Sequence, residues 1–188
     1  MCRRSEIISL KIFNSMYVLG LCGTSGSGKT RLAQRLVAMF AAKGHRVSVV
    51  KHAHHDVDVD IPGKDSWVLR KAGAYETMLI SSKRWMLIRE LEKEQFEPDI
   101  HEVIADIKPC DWLIIEGFKH ADLNKIEVWR ECVGKPAIYL QDDYVKAVVT
   151  DDVALLSDRT DLPVLQAEET EQVFDWVIEN KDLFVYQR

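Results

Sequence analysis

The sequence predicts an α/β fold in which helices flank a mostly parallel β-sheet. The apolar run from Met16 to Cys22 has the composition of a strand that is buried on both faces. From Thr30 to Phe40 the apolar residues instead recur on one helical face, and Gly44 supplies a stop signal. Because Val47 to Val50 is typical of another strand, this segment is expected to form a β-α-β unit with parallel strands.

Later segments continue the alternation of strands and helices. Helices are expected at Asp65 to Ala72, Asp99 to Ile107 and Glu171 to Glu179. Further strands are expected at Asp111 to Gly117, Ile126 to Trp129, Ala137 to Leu140, Ala147 to Val149 and Val164 to Leu165. Glu76 to Ser81 and Arg84 to Ile88 are expected to form a β-hairpin or a sheet edge. This extension is a candidate dimer surface, because an apolar edge needs to be covered.

Composition limits the functions that are open to this chain of 188 residues. We expect residues 16–188 to form a single domain, preceded by a loose N-terminal extension over residues 1–15. A formal net charge of -5 without a basic stripe argues against nucleic acid as a partner, and no apolar run suits a membrane span. The cysteines show no C-x-x-C spacing, which favours a reducing cytoplasm over a zinc ribbon or a disulfide scaffold.

The segment after the first predicted strand carries the strongest functional signal. It matches the pattern G-x-x-x-x-G-K-[ST] in full, and we call it the glycine-rich loop: Gly23, Thr24, Ser25, Gly26, Ser27, Gly28, Lys29 and Thr30. Glycines in this pattern let backbone N–H groups turn toward a phosphate, and the following helix adds its dipole. The lysine reaches the β- and γ-phosphates, and the hydroxyl residue binds Mg²⁺. We therefore expect a P-loop NTPase fold that binds a nucleoside triphosphate.

Glu116 is the candidate for a second acidic group near the magnesium ion. It ends the apolar run from Trp112 to Ile115 and precedes Gly117. Because parallel strands present their carboxyl ends at one sheet edge, Glu116 is expected beside the glycine-rich loop. The alternative is a carboxylate that simply lies in solvent at a strand end.

Polar residues crowd the segment from Lys51 to Asp60, directly after the second predicted strand. It contains three histidines and three aspartates: His52, His54, His55, Asp56, Asp58 and Asp60. Imidazoles at this spacing could bind zinc or nickel. A polar loop that orders around magnesium and phosphate accounts for the same residues, and is favoured because the cysteines lie elsewhere.

Two long segments identify a family resemblance. KHAHHDVDVDIPGKDSWVLRKAGA, from Lys51 to Ala74, and LIIEGFKH, from Leu113 to His120, resemble the MobB family of molybdopterin-guanine dinucleotide biosynthesis adapters. The resemblance runs from about Tyr17 to the final helix. It implies a cytoplasmic homodimer that binds GTP, has weak GTPase activity, and assists the guanylyltransferase MobA in attaching GMP to molybdopterin to give its guanine dinucleotide.

The resemblance also implies roles for particular residues. GTP would be bound by the glycine-rich loop, with contacts from Lys51, Asp60, Lys64 and Lys119. Mg²⁺ would be bound by Thr30, Glu116 and Asp60.

The residue that reads the guanine base stays open. Asn124 to Glu127 imitates the N-K-x-D guanine motif, but Glu replaces Asp and the segment enters a predicted strand, so we interpret the match as coincidental. Thr150 to Asp152 offers another carboxylate after a short strand.

Two other functions compete with the adapter hypothesis. One is a small-molecule kinase that uses Asp56, Asp58 or Asp60 as a base, although its usual arginine-rich lid is not evident. The other is a nickel or zinc metallochaperone that uses His52, His54 and His55.

Overall fold

The computed structural model describes residues 16–53, 57–91 and 98–187. The helices are α1 (Lys29–Ala42), α2 (Asp65–Lys71), α3 (Ile100–Asp106), α4 (Val153–Ser157) and α5 (Thr170–Glu179). The strands are β1 (Tyr17–Cys22), β2 (Val47–Lys51), β3 (Glu76–Ile80), β4 (Trp85–Arg89), β5 (Trp112–Glu116), β6 (Lys125–Val128), β7 (Val145–Thr150) and β8 (Val164–Gln166). Within these described ranges, no helix has both the length and the apolar character that a membrane span requires.

Six strands form one sheet in the order β2-β5-β1-β6-β7-β8, and each pairing is parallel. β1 therefore lies inside the sheet, with β5 on one side and β6 on the other. Strands β3 and β4 pair with each other in an antiparallel hairpin. The predicted parallel sheet and the predicted hairpin are both confirmed.

The core of the main sheet is formed by large side chains from β1, β5, α1 and α5. Phe40 packs against Trp112 and Phe174, with ring centroids 4.5 Å and 4.8 Å away. Leu36 and Val177 are also fully buried. Burial of one such side chain contributes about 1.5–3 kcal/mol. This packing fixes α1, and with it the end of the glycine-rich loop.

The described residues divide into two compact units. One contains residues 16–52 and 105–187, including the six-stranded sheet. The other, Ala53–Ile104, contains α2, β3 and β4 and follows β2 in chain order. A single domain over residues 16–188 stays a prediction.

One predicted strand is wrong. Ala137 to Leu140 forms a loop and turn rather than a strand. The backbone N–H groups of Ile138 and Tyr139 donate to the carboxylate of Glu127, at 2.8–2.9 Å. Since these groups are taken by a side chain, they are not available to a neighbouring strand. The short helix α4 was not predicted.

Candidate functional site

The glycine-rich loop joins the carboxyl end of β1 to the first turn of α1. Gly26 has a φ of +83°, in the left-handed region that favours glycine. No atom of the residues that the structure describes lies within 4 Å of the position that a Cβ of Gly26 would occupy. The loop therefore has an open face beside this backbone, where a ligand atom can approach closely.

The beginning of α1 is suited to an anion. Gly28 is the N-cap and offers no side chain, so no side-chain acceptor caps the helix. The first N–H groups of a helix have no partner within the helix, and they carry its positive dipole end. Ser27 is fully buried, and its hydroxyl has no hydrogen-bond partner among the described residues. The backbone donors at this helix end fit a phosphate group, whereas the Ser27 hydroxyl is buried away from it.

Thr30 and Glu116 meet at the carboxyl edge of the sheet, as the spacing predicted. The Thr30 hydroxyl donates to Glu116 Oε1 at 2.6 Å, and Glu116 is buried. The Lys51 ammonium donates to Thr30 Oγ1 at 3.2 Å and lies 3.4 Å from Glu116 Oε1. A hydroxyl and a carboxylate are hard oxygen ligands of the kind that Mg²⁺ prefers, so this pair fits a magnesium ion.

Lys29 lies at the start of α1 and donates to the backbone carbonyl of Thr24 at 2.8 Å. Burial lowers the pKa of Lys29, and the nearby Glu116 opposes this shift. Cys22, at the end of β1, is buried, and burial raises its pKa to about 12. Cys22 is therefore a neutral thiol, unsuited to nucleophilic or metal chemistry.

Arg130 is a residue at this site that sequence reasoning missed. It follows β6, and its Nε donates to the backbone carbonyl of Ser27 at 2.8 Å. A second guanidinium nitrogen, Nη1, donates to Asp151 Oδ2 at 2.6 Å. No short motif links residues that are so far apart in the chain, so only the pairing of β6 with β1 and β7 reveals this contact.

The segment that imitates a guanine motif has a structural role. Asn124 donates to the carbonyl of Leu183, and Lys125 and Glu127 are buried within β6. The carboxylate of Glu127 holds the loop at Ile138 and Tyr139, as described above. Burial raises the pKa of Glu127, and the two N–H donors oppose this shift.

Lys119 lies after β5, and its side chain is exposed. Its backbone carbonyl accepts a hydrogen bond from the buried Lys125 ammonium at 3.2 Å. The structure therefore gives Lys119 a backbone contact within the fold and leaves its side chain accessible.

Asp60 and Lys64 belong to the Ala53–Ile104 unit. Asp60 is buried, and its Oδ1 accepts the Ser66 hydroxyl at 2.7 Å, while Oδ2 lies 3.6 Å from Arg70 Nε. Lys64 is exposed and is the N-cap residue of α2. Asp58 accepts from Arg70 at 2.7 Å, and this hydrogen bond lowers the pKa of Asp58. A carboxylate with a lowered pKa is a weak base, which disfavours Asp58 as the base of a kinase.

The histidine-rich segment is only partly described. The ring of His52 packs on Phe118, with centroids 4.6 Å apart. A Cβ added at Gly117 would lie only 2.7 Å from the Cβ of His52, so a glycine is needed at this position. His54, His55 and Asp56 lie outside the described residues. Among the residues that are described, no group of three metal-binding side chains comes together.

The fold and the glycine-rich loop define a P-loop NTPase-like α/β protein. Residues 18–151 match the family described as molybdopterin guanine dinucleotide synthesis protein B, MobB, and the chain belongs to this family. It is 39% identical to the molybdopterin-guanine dinucleotide biosynthesis adapter protein of Escherichia coli (strain K12), over 86% of this chain and 91% of that protein. It is 36% identical to the adapter protein of Haemophilus influenzae, over 87% and 89% of the two chains. The crystal structure of Bacillus subtilis MobB has the same fold, with a TM-score of 0.68 and 21% identity over 87% of this chain and 97% of that chain.

Proposed function

We propose that this chain is an adapter in molybdopterin guanine dinucleotide synthesis that binds GTP and Mg²⁺ and has weak GTPase activity. One observation carries the nucleotide proposal: the uncapped start of α1 and the open face at Gly26 lie beside the paired oxygens of Thr30 and Glu116. Backbone donors suit phosphate oxygens, and hard oxygens suit magnesium. The names of the two bacterial relatives support the adapter role.

The proposed ligand contacts extend beyond the glycine-rich loop. Thr30, Glu116 and Asp60 are proposed to bind magnesium, which when present neutralises phosphate charge. Lys51, Lys64 and Lys119 are proposed to contact the anionic ligand, together with Asp60. In this proposal the chain's own groups orient the triphosphate, and hydrolysis is slow because the sequence shows no arginine finger that would stabilise the transferred phosphoryl group.

The proposed partners are the guanylyltransferase MobA and molybdopterin or its guanine dinucleotide. An adapter acts by binding to another protein, and we propose that this chain meets that enzyme in the cytoplasm. Addition of the chain with GTP is expected to increase the yield of guanine dinucleotide from the purified guanylyltransferase. An unchanged yield at equal enzyme concentration would contradict the adapter proposal.

Calorimetric titration with GTP and ATP tests the nucleotide proposal. With Mg²⁺ present, GTP is expected to bind at least about tenfold more tightly than ATP, a difference of about 1.4 kcal/mol. GTP that binds no better than ATP would refute the assignment to guanine nucleotides.

Substitution of Glu116 by glutamine tests the magnesium site. The change keeps the shape of the side chain but removes the charge, so the gain in GTP affinity on addition of Mg²⁺ should fall about tenfold. Titrations with Mg²⁺ and with EDTA measure this gain. Asp111→Asn is the matched control, because Asp111 immediately precedes β5, at the end of the strand away from Glu116. An equal loss in both variants would place the metal elsewhere.

The hairpin of β3 and β4 is the proposed homodimer surface. Ile80 and Trp85 pair across the hairpin, and their side chains are 76% and 55% exposed. An exposed apolar pair of this size favours burial against a second copy. Ile80→Glu is expected to raise the dimer dissociation constant about tenfold or more, as measured by sedimentation. Lys83→Glu at the turn is the control, and dimers that persist equally in both variants would exclude this surface.

A further inference from the structure

We propose that Arg130 is a positioning residue that holds the Ser27–Gly28 peptide of the glycine-rich loop in its phosphate-binding orientation, and that Asp151 holds Arg130. The proposal rests on the proposed nucleotide function, and it adds two residues that the glycine-rich loop pattern does not contain. It concerns only the unit that contains the main sheet.

The strand order brings these residues together. β1, β6 and β7 are neighbours and parallel, so the segments after their carboxyl ends share one sheet edge. The glycine-rich loop follows β1, Arg130 comes two residues after β6, and Asp151 directly follows β7. The guanidinium can therefore reach both neighbouring loops at once.

Arg130 uses two different nitrogens for its two contacts. Nε donates to Ser27 O at 2.8 Å, and Nη1 donates to Asp151 Oδ2 at 2.6 Å. The guanidinium is planar and rigid, so the bond to Asp151 also fixes the direction of the Nε donor. The third nitrogen, Nη2, lies 3.5 Å from the point where a Cβ of Gly28 would be. The guanidinium thus lies against the Ser27–Gly28 peptide.

The contact with Ser27 has a consequence on the other side of the same peptide. The peptide is planar and trans, so its C=O and its N–H point in opposite directions. A hydrogen bond that holds the Ser27 oxygen toward Arg130 therefore directs the Gly28 N–H away from Arg130. Among the described residues no acceptor takes this N–H, and it lies at the N-cap of α1. It is therefore a free donor, at the helix end where the dipole favours an anion.

The bond to Ser27 is also stronger than an ordinary backbone hydrogen bond. Its donor is ionised, and charge-assisted hydrogen bonds are shorter and about twice as strong as neutral ones. Ser27 itself is buried, and its N–H donates to Thr24 O at 3.2 Å. The backbone N–H and C=O of Ser27 are therefore both held by hydrogen bonds. This reduces the reorganisation that the loop must undergo when it binds a phosphate.

The test compares GTP and GMP binding in the wild-type chain and in Arg130→Gln. If Arg130 positions the loop, the variant should bind GTP about tenfold more weakly, the loss expected for one charge-assisted hydrogen bond. GMP lacks the β- and γ-phosphates that the loop is proposed to bind, so its affinity should change much less. The ratio of the two affinities is the informative quantity, because a general loss of folding would lower both.

Three further variants sharpen the result. Arg130→Lys keeps the charge but lacks the fork that makes both bonds, so it should recover only part of the GTP affinity. Asp151→Asn should lower the GTP to GMP ratio in the same direction, and its effect should not add to that of Arg130→Gln, because the two residues act as one unit. Arg159→Gln, an exposed arginine after α4, should leave both affinities unchanged.

Three outcomes would overturn the inference, and only one of them also overturns the nucleotide proposal. If the wild-type chain binds GTP and Arg130→Gln keeps the wild-type ratio within about twofold, Arg130 does not position the loop and the nucleotide proposal stands. If the wild-type chain does not bind GTP at all, both proposals fail. A shift of the Gly28 amide ¹⁵N resonance in ligand-free Arg130→Gln is expected as well, and an unchanged resonance would also count against the inference.

Discussion

Lys29→Met is expected to weaken binding of GTP with Mg²⁺ by about 100-fold. The substitution keeps most of the side-chain length and removes the ammonium that the glycine-rich loop pattern directs to the β- and γ-phosphates. Two lost charge-assisted contacts of about 1.5 kcal/mol each give a loss of this size. Lys29 already lies along the loop, where it donates to Thr24 O. Calorimetric titration of both proteins measures the difference.

The pH dependence and a matched control make this prediction specific. Burial lowers the pKa of Lys29 in the free protein, whereas bound phosphates favour its charged form. GTP affinity should therefore fall as the pH rises through this lowered pKa, and Lys29→Met should remove that dependence. Lys43→Met, at the other end of α1, is the control and should bind as the wild type does. Equal affinity of Lys29→Met and Lys43→Met would refute the proposed phosphate contact.

Asp142→Asn is expected to destabilise the fold by about 3 kcal/mol, at the lower end of the range for breaking a buried ion pair. The Lys125 ammonium is buried and makes three hydrogen bonds, to Asp142 Oδ2 and to the carbonyls of Lys119 and Ala121. An ammonium has three donors, so each is satisfied. Asparagine would leave a buried positive charge without its counter-charge.

Thermal or denaturant unfolding checks the prediction. A loss of this size should lower the melting temperature by about 10 °C in a chain of this length. Asp143→Asn is the control, because Asp143 is the neighbouring carboxylate and is exposed. It should change stability by no more than about 0.5 kcal/mol. If Asp142→Asn and Asp143→Asn have the same melting temperature, Asp142 does not provide the predicted stabilisation.

The elements that depend on local patterns could be predicted from the sequence. β1 and β5 are continuous apolar runs, and α1 carries its apolar residues on one face, so burial alone predicts their type. The position of Glu116 beside the glycine-rich loop could also be predicted, because parallel strands place their carboxyl ends at one edge, whereas its direct contact with Thr30 could not. These inferences need only the spacing at which apolar residues recur along the chain and the direction in which the strands run.

The inferences that failed depend on partners distant in the chain. Ala137 to Leu140 has a strand-like composition, but the Glu127 carboxylate accepts hydrogen bonds from the N–H groups of Ile138 and Tyr139. Arg130 was missed because its contacts with Ser27 and Asp151 depend on the order of strands in the sheet, which no local pattern encodes.

β1 lies between β5 and β6, so the proposed ligand site is supported by two separate sets of residues. Glu116, on β5, contacts Thr30 and Lys51, whereas Arg130, after β6, contacts Ser27 and Asp151. The two sets share no residue. The losses of GTP-binding free energy caused by Glu116→Gln and by Arg130→Gln should therefore add in the double variant. If both proposals hold, a substitution on the β5 side changes the response to Mg²⁺ and leaves the orientation of the Ser27–Gly28 peptide unchanged.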